Sequence, residues 1–276
     1  MKTRKVTVWS FLRVLILVLV MLAILIPTLW MFLSAFKPMK EIIAYPPRFF
    51  PEKWTFGNFE KVFTRIDLSR YIVNTCIYAV VSTILSVFIN ALAAYGFARF
   101  DFPGKQPLFF LVLGTMMIPF QVIMVPLFLE VYQLGMFDSY AGLILPKLAI
   151  AMSIFMMRAS FETLPVELDE AARIDGMKDF QIFARIMIPL VKPTLVTMIV
   201  LNVNGAWNDL LWPLLVTSSA KMRMLANGLA LFAGKDTTMY GAAFAGAVVS
   251  VVPMMLLYIF GSRYFVEGVT TSGLKG

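Results

Sequence analysis

Between positions 202 and 212 the chain carries Asn202, Asn204, Trp207, Asn208, Asp209 and Trp212 inside an otherwise apolar run. Amides and a carboxylate can hydrogen-bond the hydroxyls of a polar solute, and flat indole faces can cover its C–H edges. On a continuous helix Asn204, Asn208 and Trp212 fall four apart and share one face. Polar groups at membrane depth turn toward a bundle interior or a wet cavity. Two readings stay open: contact with a passing solute, or hydrogen bonding to a neighbouring membrane chain with the indoles in an interfacial belt. Lys147 interrupts a second apolar run, where it either snorkels outward or lines the mouth of a pathway. Asn74 and Asn90 read as hydrogen-bonded contacts between helices.

A second pattern runs from Phe161 to Pro193. Pro165 suits a first helical turn, and Glu167, Asp169 and Glu170 place negative charge at the positive end of a helix. Ala171 and Ala172 favour helix and leave a narrow, closely approachable face. Gly176 can take the left-handed conformation that ends a helix. Phe180, Phe183, Ile186 and Leu190 then recur at helical spacing as an amphipathic stripe. The pattern predicts helix, tight glycine turn, helix.

The composition excludes other chemistry. With no histidine, His-based metal sites, the common general base and the usual proton relay are absent. The single cysteine, Cys76, excludes an internal disulfide and reads as inert packing. No HExxH, Ser/His pair or metal cluster is present. Gly104-Lys105 and Gly234-Lys235 lack the upstream glycine and following Ser/Thr of a phosphate-binding loop, so any ATP and Mg must be held by another chain.

The elements that position these residues follow from hydropathy. Of the 276 residues 60% are hydrophobic and 14% charged, too few charges for a water-facing surface. Runs of about 20 apolar residues cross a bilayer. Such runs fall at about 14–36, 71–98, 106–129, 140–160, 190–217 and 237–262. The fold class is therefore an all-α membrane protein with six transmembrane helices, forming one domain over 1–276. The loop 161–189 lies between helices 4 and 5. The first run is longer than a signal-peptide core and reads as an uncleaved span. The net charge of +8 sits beside apolar spans, which points to lipid headgroups and not to nucleic acid. Lys2, Arg4, Lys5 and Arg13 before the first span favour a cytoplasmic N-terminus, and an even count brings the C-terminus to the same side. Prolines lie in or beside the spans at Pro27, Pro119, Pro126, Pro146, Pro193, Pro213 and Pro253.

The order E-A-A-x-x-D-G, then nine residues, then I-x-x-P closely resembles the EAA loop of ABC importer permeases. The matching residues are Glu170, Ala171, Ala172, Asp175, Gly176, Ile186 and Pro189. Met177 departs from the pattern, which more often has alanine. Four further segments resemble the carbohydrate-uptake, maltose-transporter-type branch of that family: Pro51–Phe59, Arg70–Thr75, Ala98–Lys105 and Ala206–Leu214.

The resemblance implies a permease that forms half of a heterodimeric pore with a second permease. It implies a cytoplasmic ABC ATPase dimer gripping the loop, and an extracytoplasmic solute-binding protein delivering a sugar or oligosaccharide across a prokaryotic plasma membrane. Glycerol phosphate or sugar alcohol is an alternative cargo. Outside the family, an ion-coupled secondary transporter would need more intramembrane carboxylates than Asp209. The loop residues would couple ATP hydrolysis to pore movement, and Asn204, Trp207, Asn208, Asp209, Trp212 and Lys147 are candidates for the substrate pathway.

Overall fold

The computed structural model describes residues 8–233 and 239–273; Lys2, Arg4 and Lys5, used above for orientation, lie outside them. Every regular element among the described residues is helical. In chain order these are α1 (Val8–Ala35), α2 (Met39–Ile42), α3 (Gly57–Arg65), α4 (Leu68–Arg99), α5 (Lys105–Thr115) and α6 (Phe120–Gln133). Then come α7 (Tyr140–Ile144), prolonged by a 3-10 turn at Leu145–Lys147, α8 (Ala151–Glu162) and α9 (Glu167–Ile174). Next, α10 (Asp179–Ile182) runs through a π turn (Phe183–Met187) into α11 (Ile188–Leu190), followed by α12 (Lys192–Trp207) and α13 (Leu211–Val216). The last are α14 (Leu225–Ala230) and α15 (Tyr240–Gly273).

Among the described residues, three apolar runs form one unbroken helix long enough to cross a bilayer: Leu12–Ala35, Leu68–Arg99 and Tyr240–Phe260. The other three are bent pairs. α5 and α6 turn by 99°, the α7 segment and α8 by 47°, and the α10–α11 segment and α12 by 86°. The expectation of continuous helices over 106–129 and 140–160 is corrected accordingly; the 190–217 run has the 86° bend at its start and is itself broken at Asn208–Leu210, between α12 and α13. Proline sits beside each break: Pro119 caps α6, Pro146 lies in the 3-10 turn, and Pro193 opens α12. A ring without an N–H removes a ladder bond and blocks the preceding turn. Pro27, Pro126 and Pro253 remain inside helices.

The chain forms two compact units, Met1–Leu68 with Leu229–Val252, and Ser69–Gly228 with Pro253–Gly276. In the first, Asn58 finishes the end of α1: its Nδ2 donates to Ala35 O (2.9 Å) and Lys37 O (2.8 Å). Those are carbonyls that a helix end leaves without a partner. Gly241 is required there, because a Cβ would stand 2.3 Å from Asn58 Oδ1. Phe36 packs against Trp54, Phe56 and Phe59, which gives the aromatic residues of Pro51–Phe59 their structural work. Lys37 is buried, donating to Arg48 O (2.6 Å) over the Trp30 ring. Burial pushes its ammonium below the usual lysine range, against the pull of Glu41.

The second unit holds two apolar clusters. One joins Ala94 and Tyr95 of α4, Met157 and Phe161 of α8, Ala172 of α9, and Phe183 and Met187. The other joins Tyr78 of α4, Val131 of α6, Leu143 of α7, and Trp212 and Val216 of α13. Where lipid replaces water these contacts act through close packing and not through transfer from water. Asp138, at φ 57°, ties two loops: its Oδ1 accepts from Ser218 N (2.9 Å) and Ser219 N (3.1 Å). Burial pushes this carboxyl up, but the hydrogen bonds together outweigh it and hold it below its ordinary value.

Candidate functional site

Two places carry the residues singled out above. The first is the loop from Phe161 to Pro193. α9 has Glu167, Asp169 and Glu170 in its first turn, and its C-cap is Asp175. Gly176 takes φ 82°. Its N–H reaches Arg173 O (3.0 Å), and the Met177 N–H reaches back to Ala172 O (3.0 Å). This paired ending is the Schellman arrangement, in which the residue after the glycine packs back on the helix. Met177 is half-buried against the cluster holding Ala172, so its departure from the family pattern supplies that contact. Lys178 N then donates to Gln181 Oε1 (2.9 Å) and starts α10.

α9 presents two unlike faces. Asp169 and Ala172 point inward; Glu170, Ala171 and Ile174 point out, with Ile174 86% exposed. The narrow outer face expected from two alanines is corrected: Ala172 is core, and Ala171 alone is open. The stripe expected on the second helix is corrected too. Ile182, Phe183 and Met187 are buried and Ile186 is half-buried, while Phe180, Pro189 and Leu190 are exposed. The π turn adds a residue to one turn and rotates everything after it.

The inward face is held by a buried ion pair. Arg99 Nε of α4 lies 3.1 Å from Asp169 Oδ2, with side chains 5% and 3% exposed. Tyr95 Oη, one turn earlier on α4, donates to Asp169 Oδ1 (3.0 Å), and Arg99 Nη2 donates to Leu164 O (3.0 Å). The end of α4 is thus tied to the loop by the Arg99–Asp169 ion pair and by hydrogen bonds from Tyr95 and Arg99.

The second place is a polar cluster at two helix breaks. α12 stops at Trp207, Asn208 is its C-cap, and α13 starts at Leu211. The shared face of Asn204, Asn208 and Trp212 is thus corrected, since Trp212 stands on the next helix. Asn208 Nδ2 folds back on Asn204 O and Oδ1, both at 3.0 Å. Asp209 takes three donors: Lys147 Nζ (2.6 Å) and Tyr78 Oη (2.9 Å) on Oδ2, and Trp212 N (3.3 Å) on Oδ1. Lys147 therefore neither snorkels nor stands alone. Trp212 is fully buried, its Nε1 donating to Gly142 O and Leu143 O at 3.2 Å, and Trp207 is buried as well. Both indoles are core here, and neither forms an interfacial belt.

Asn90 closes the other break, donating to Leu148 O (2.9 Å) and accepting from Ile150 N (3.1 Å). Asn74 donates to Lys221 O (2.8 Å) and Arg223 O (3.0 Å) and accepts from Tyr140 Oη. Both asparagines act as glue, mainly on non-helical backbone. Irregular backbone persists at membrane depth only when side chains, protein or cavity water satisfy it. Beside the two breaks lies a cavity of about 320 Å³ lined by Tyr78, Ser82, Ser86, Lys147, Ser153 and Asn202, among others. Cys76 is exposed on α4 and is not core packing.

Residues 88–270 match the family described as binding-protein-dependent transport system inner membrane component. The chain belongs to that family. It is a transporter permease subunit and an inner membrane component. The match spans the loop and, of the polar cluster, every residue but Tyr78. The arabinooligosaccharides transport system permease protein AraQ of Halalkalibacterium halodurans is 36% identical over 91% of each chain. The trehalose transport system permease protein SugB of Mycobacterium tuberculosis is 32% identical over 100% of each. A crystal structure of a bacterial ABC transporter that imports the acidic polysaccharide alginate contains a chain of the same fold. It is 23% identical with a TM-score of 0.81, covering 96% of this chain and 99% of that one.

Three residues of this permease that matter most escape a linear reading. Asp169 reads as one of three acidic residues suited to a helix start, yet it alone is buried. Its spacing of three from Ala172 marks the shared face. Arg99 and Tyr95 lie some seventy positions away from it, which no local pattern bridges. Lys147 and Asp209 offered a signal, since each is a charge in an apolar run and so needs a counter-charge.

Proposed function

We propose that this chain is one permease half of an ATP-driven importer that passes a sugar or oligosaccharide from an extracytoplasmic binding protein into the cytoplasm. Counting each bent pair as one span gives up to six crossings among the described residues, in a single membrane domain with both termini cytoplasmic. A second permease completes the pore, and a separate ATPase dimer binds ATP and Mg. The sugar cargo is supported by relatives named for arabinooligosaccharides and trehalose.

The observation that carries this reading is the two-faced α9. Its inner face is pinned to α4 through Arg99 and Asp169, and its outer face offers Glu170, Ala171 and Ile174 with no covering side chain among the described residues. Glu170 can pair with a basic group of the ATPase. Ala171 admits close approach, and Asp175 and Gly176 set the exit angle. Ile186 and Pro189 hold the second helix in place. A rigid helix seated in a socket lets two ATPase states bias two pore states. Asn204, Asn208 and Asp209, with Lys147, stand on the route proposed for substrate; the buried Trp207 and Trp212 shape its wall.

Mild-detergent purification of the chain from its native membrane tests this reading. The expected co-purifying set is a P-loop ATPase, a second multi-span permease and a solute-binding protein. Recovery of the chain alone across several detergents would count against it and favour a secondary transporter.

A further inference from the structure

In the segment between α1 and α4, Lys53 and Lys61 line a cavity of about 300 Å³ together with Pro38, Met39, Thr55 and Asn58. A smaller cavity of about 110 Å³ shares Met39, Asn58 and Lys61 and is closed by Met239, Gly241 and Ala242. All of these residues belong to one compact unit. Neither lysine has an ion-pair partner among the described residues. The carboxylates of the same segment are engaged elsewhere or stand outside the lining. Glu41 accepts from Glu52 N (3.0 Å) and Lys53 N (3.2 Å), Glu52 pairs with Arg48, and Glu60 and Asp67 are in neither lining. Thr55 Oγ1 accepts from Gly57 N (3.1 Å), which leaves its proton to donate. Two ammoniums and a hydroxyl donor with no carboxylate among them suit an oxyanion.

The position of the cavity indicates which oxyanion. α1 ends at Ala35, three residues before Pro38, and α15 begins at Tyr240, between Met239 and Gly241. Each carries an apolar run long enough to cross a bilayer. The cavity therefore sits where two spans leave the hydrocarbon, at the depth of lipid phosphates. Trp54 and Phe56, the chain neighbours of Lys53 and Thr55, are exposed, and aromatic side chains favour that same depth. We propose that this cavity binds the phosphate headgroup of an anionic glycerophospholipid, with Lys53 and Lys61 as counter-charges and Thr55 as a donor. The site is independent of the cargo; only its assignment to the extracytoplasmic leaflet rests on the topology proposed above.

The test uses the full chain, purified in detergent with whatever partners it retains and stripped of lipid. It is titrated with dioleoylphosphatidylglycerol or dioleoylphosphatidylcholine, and bound lipid is counted by native mass spectrometry. Inorganic phosphate is then added as a competitor. The wild type is expected to hold phosphatidylglycerol more tightly than phosphatidylcholine, whose choline would stand against the same ammoniums. K53Q/K61Q should weaken phosphatidylglycerol binding by roughly thirtyfold, about fivefold for each lysine near a charged lipid surface. K53R/K61R should keep it. K40Q/K221Q, which removes the same charge outside both linings, should keep it too. All four lysines are exposed, so each variant is expected to fold.

Equal affinity for the two lipids, unchanged binding in K53Q/K61Q, or an equal loss in K40Q/K221Q would overturn the site. Inorganic phosphate that displaces phosphatidylglycerol at matched concentration would keep the oxyanion site but make free phosphate its ligand, overturning the lipid assignment. A co-purifying protein lost from K53Q/K61Q while lipid binding is unchanged would give the two lysines to a protein contact instead.

Discussion

Asp169→Ala is expected to lower the stability of the protein by about 3–5 kcal/mol, because it strands the Arg99 guanidinium in a buried site. Arg99 Nη2 would keep Leu164 O and a weak contact to Met187 Sδ but no counter-charge, and Tyr95 Oη would lose its acceptor. The change should appear as a lower midpoint in thermal unfolding of the detergent-solubilised protein. Replacing both partners with apolar side chains, as in R99M/D169L, should recover much of that loss, since a buried pair is often no better than well-packed hydrocarbon. Uptake separates the roles: the double variant should be stable yet transport poorly, because the link from α9 to α4 is gone. An Asp169→Ala protein that melts with the wild type would show that the pair does not form.

Gly176→Asp should leave the chain folded and inserted while uptake falls by tenfold or more. The space around the Gly176 Cβ position is open, so no clash arises. The backbone cost at φ 82° is on the order of 1–2 kcal/mol. That is too little to unfold a domain but enough to swing the exit of α9 and weaken its seat. A carboxylate would also stand beside Asp175, adding negative charge on a surface proposed to meet an ATPase. Gly104 gives the matched comparison, with φ 80° and equally open surroundings. Gly104→Asp carries the same backbone cost and should retain far more uptake. Equal losses at both positions would assign the effect to strain and not to coupling.

Much of the loop was legible because its determinants are local. Pro165, the acidic first turn and Gly176 mark the ends of α9 within a residue or two, and the structure adds the hydrogen bonds that make them work. The spans were legible as apolar runs but not as shapes. Proline marks where a helix can break, yet the 47° turn between the α7 segment and α8 also depends on a neighbour far along the chain that fills the gap. That neighbour is Asn90, read from the sequence as a hydrogen-bonded contact between helices and found bonded to the backbone of the Leu148–Ile150 break.

The π turn at Phe183–Met187 shifts the expected stripe by one residue and leaves no mark in residue type. Trp212 misled for a related reason. An indole near a membrane span reads as interfacial, but the break at Asn208–Leu210 turns it into the core, where two carbonyls take its N–H. The pairing of Lys147 with Asp209 could have been drawn from charge alone, as each is a charge in an apolar run and calls for a partner of opposite sign.

The account stands on the claim that the outer face of α9 meets an ATPase. The direct measurement is cross-linking from that face in the native membrane. With Cys76→Ser removing the lone thiol, Ile174→Cys is labelled with a maleimide–benzophenone and irradiated. Ile84→Cys, exposed near the middle of α4, serves as reference. The predicted result is an adduct of position 174 with a P-loop ATPase subunit, and none from position 84. Adducts of position 174 with lipid alone, or equal ATPase yields from both positions, would contradict the account.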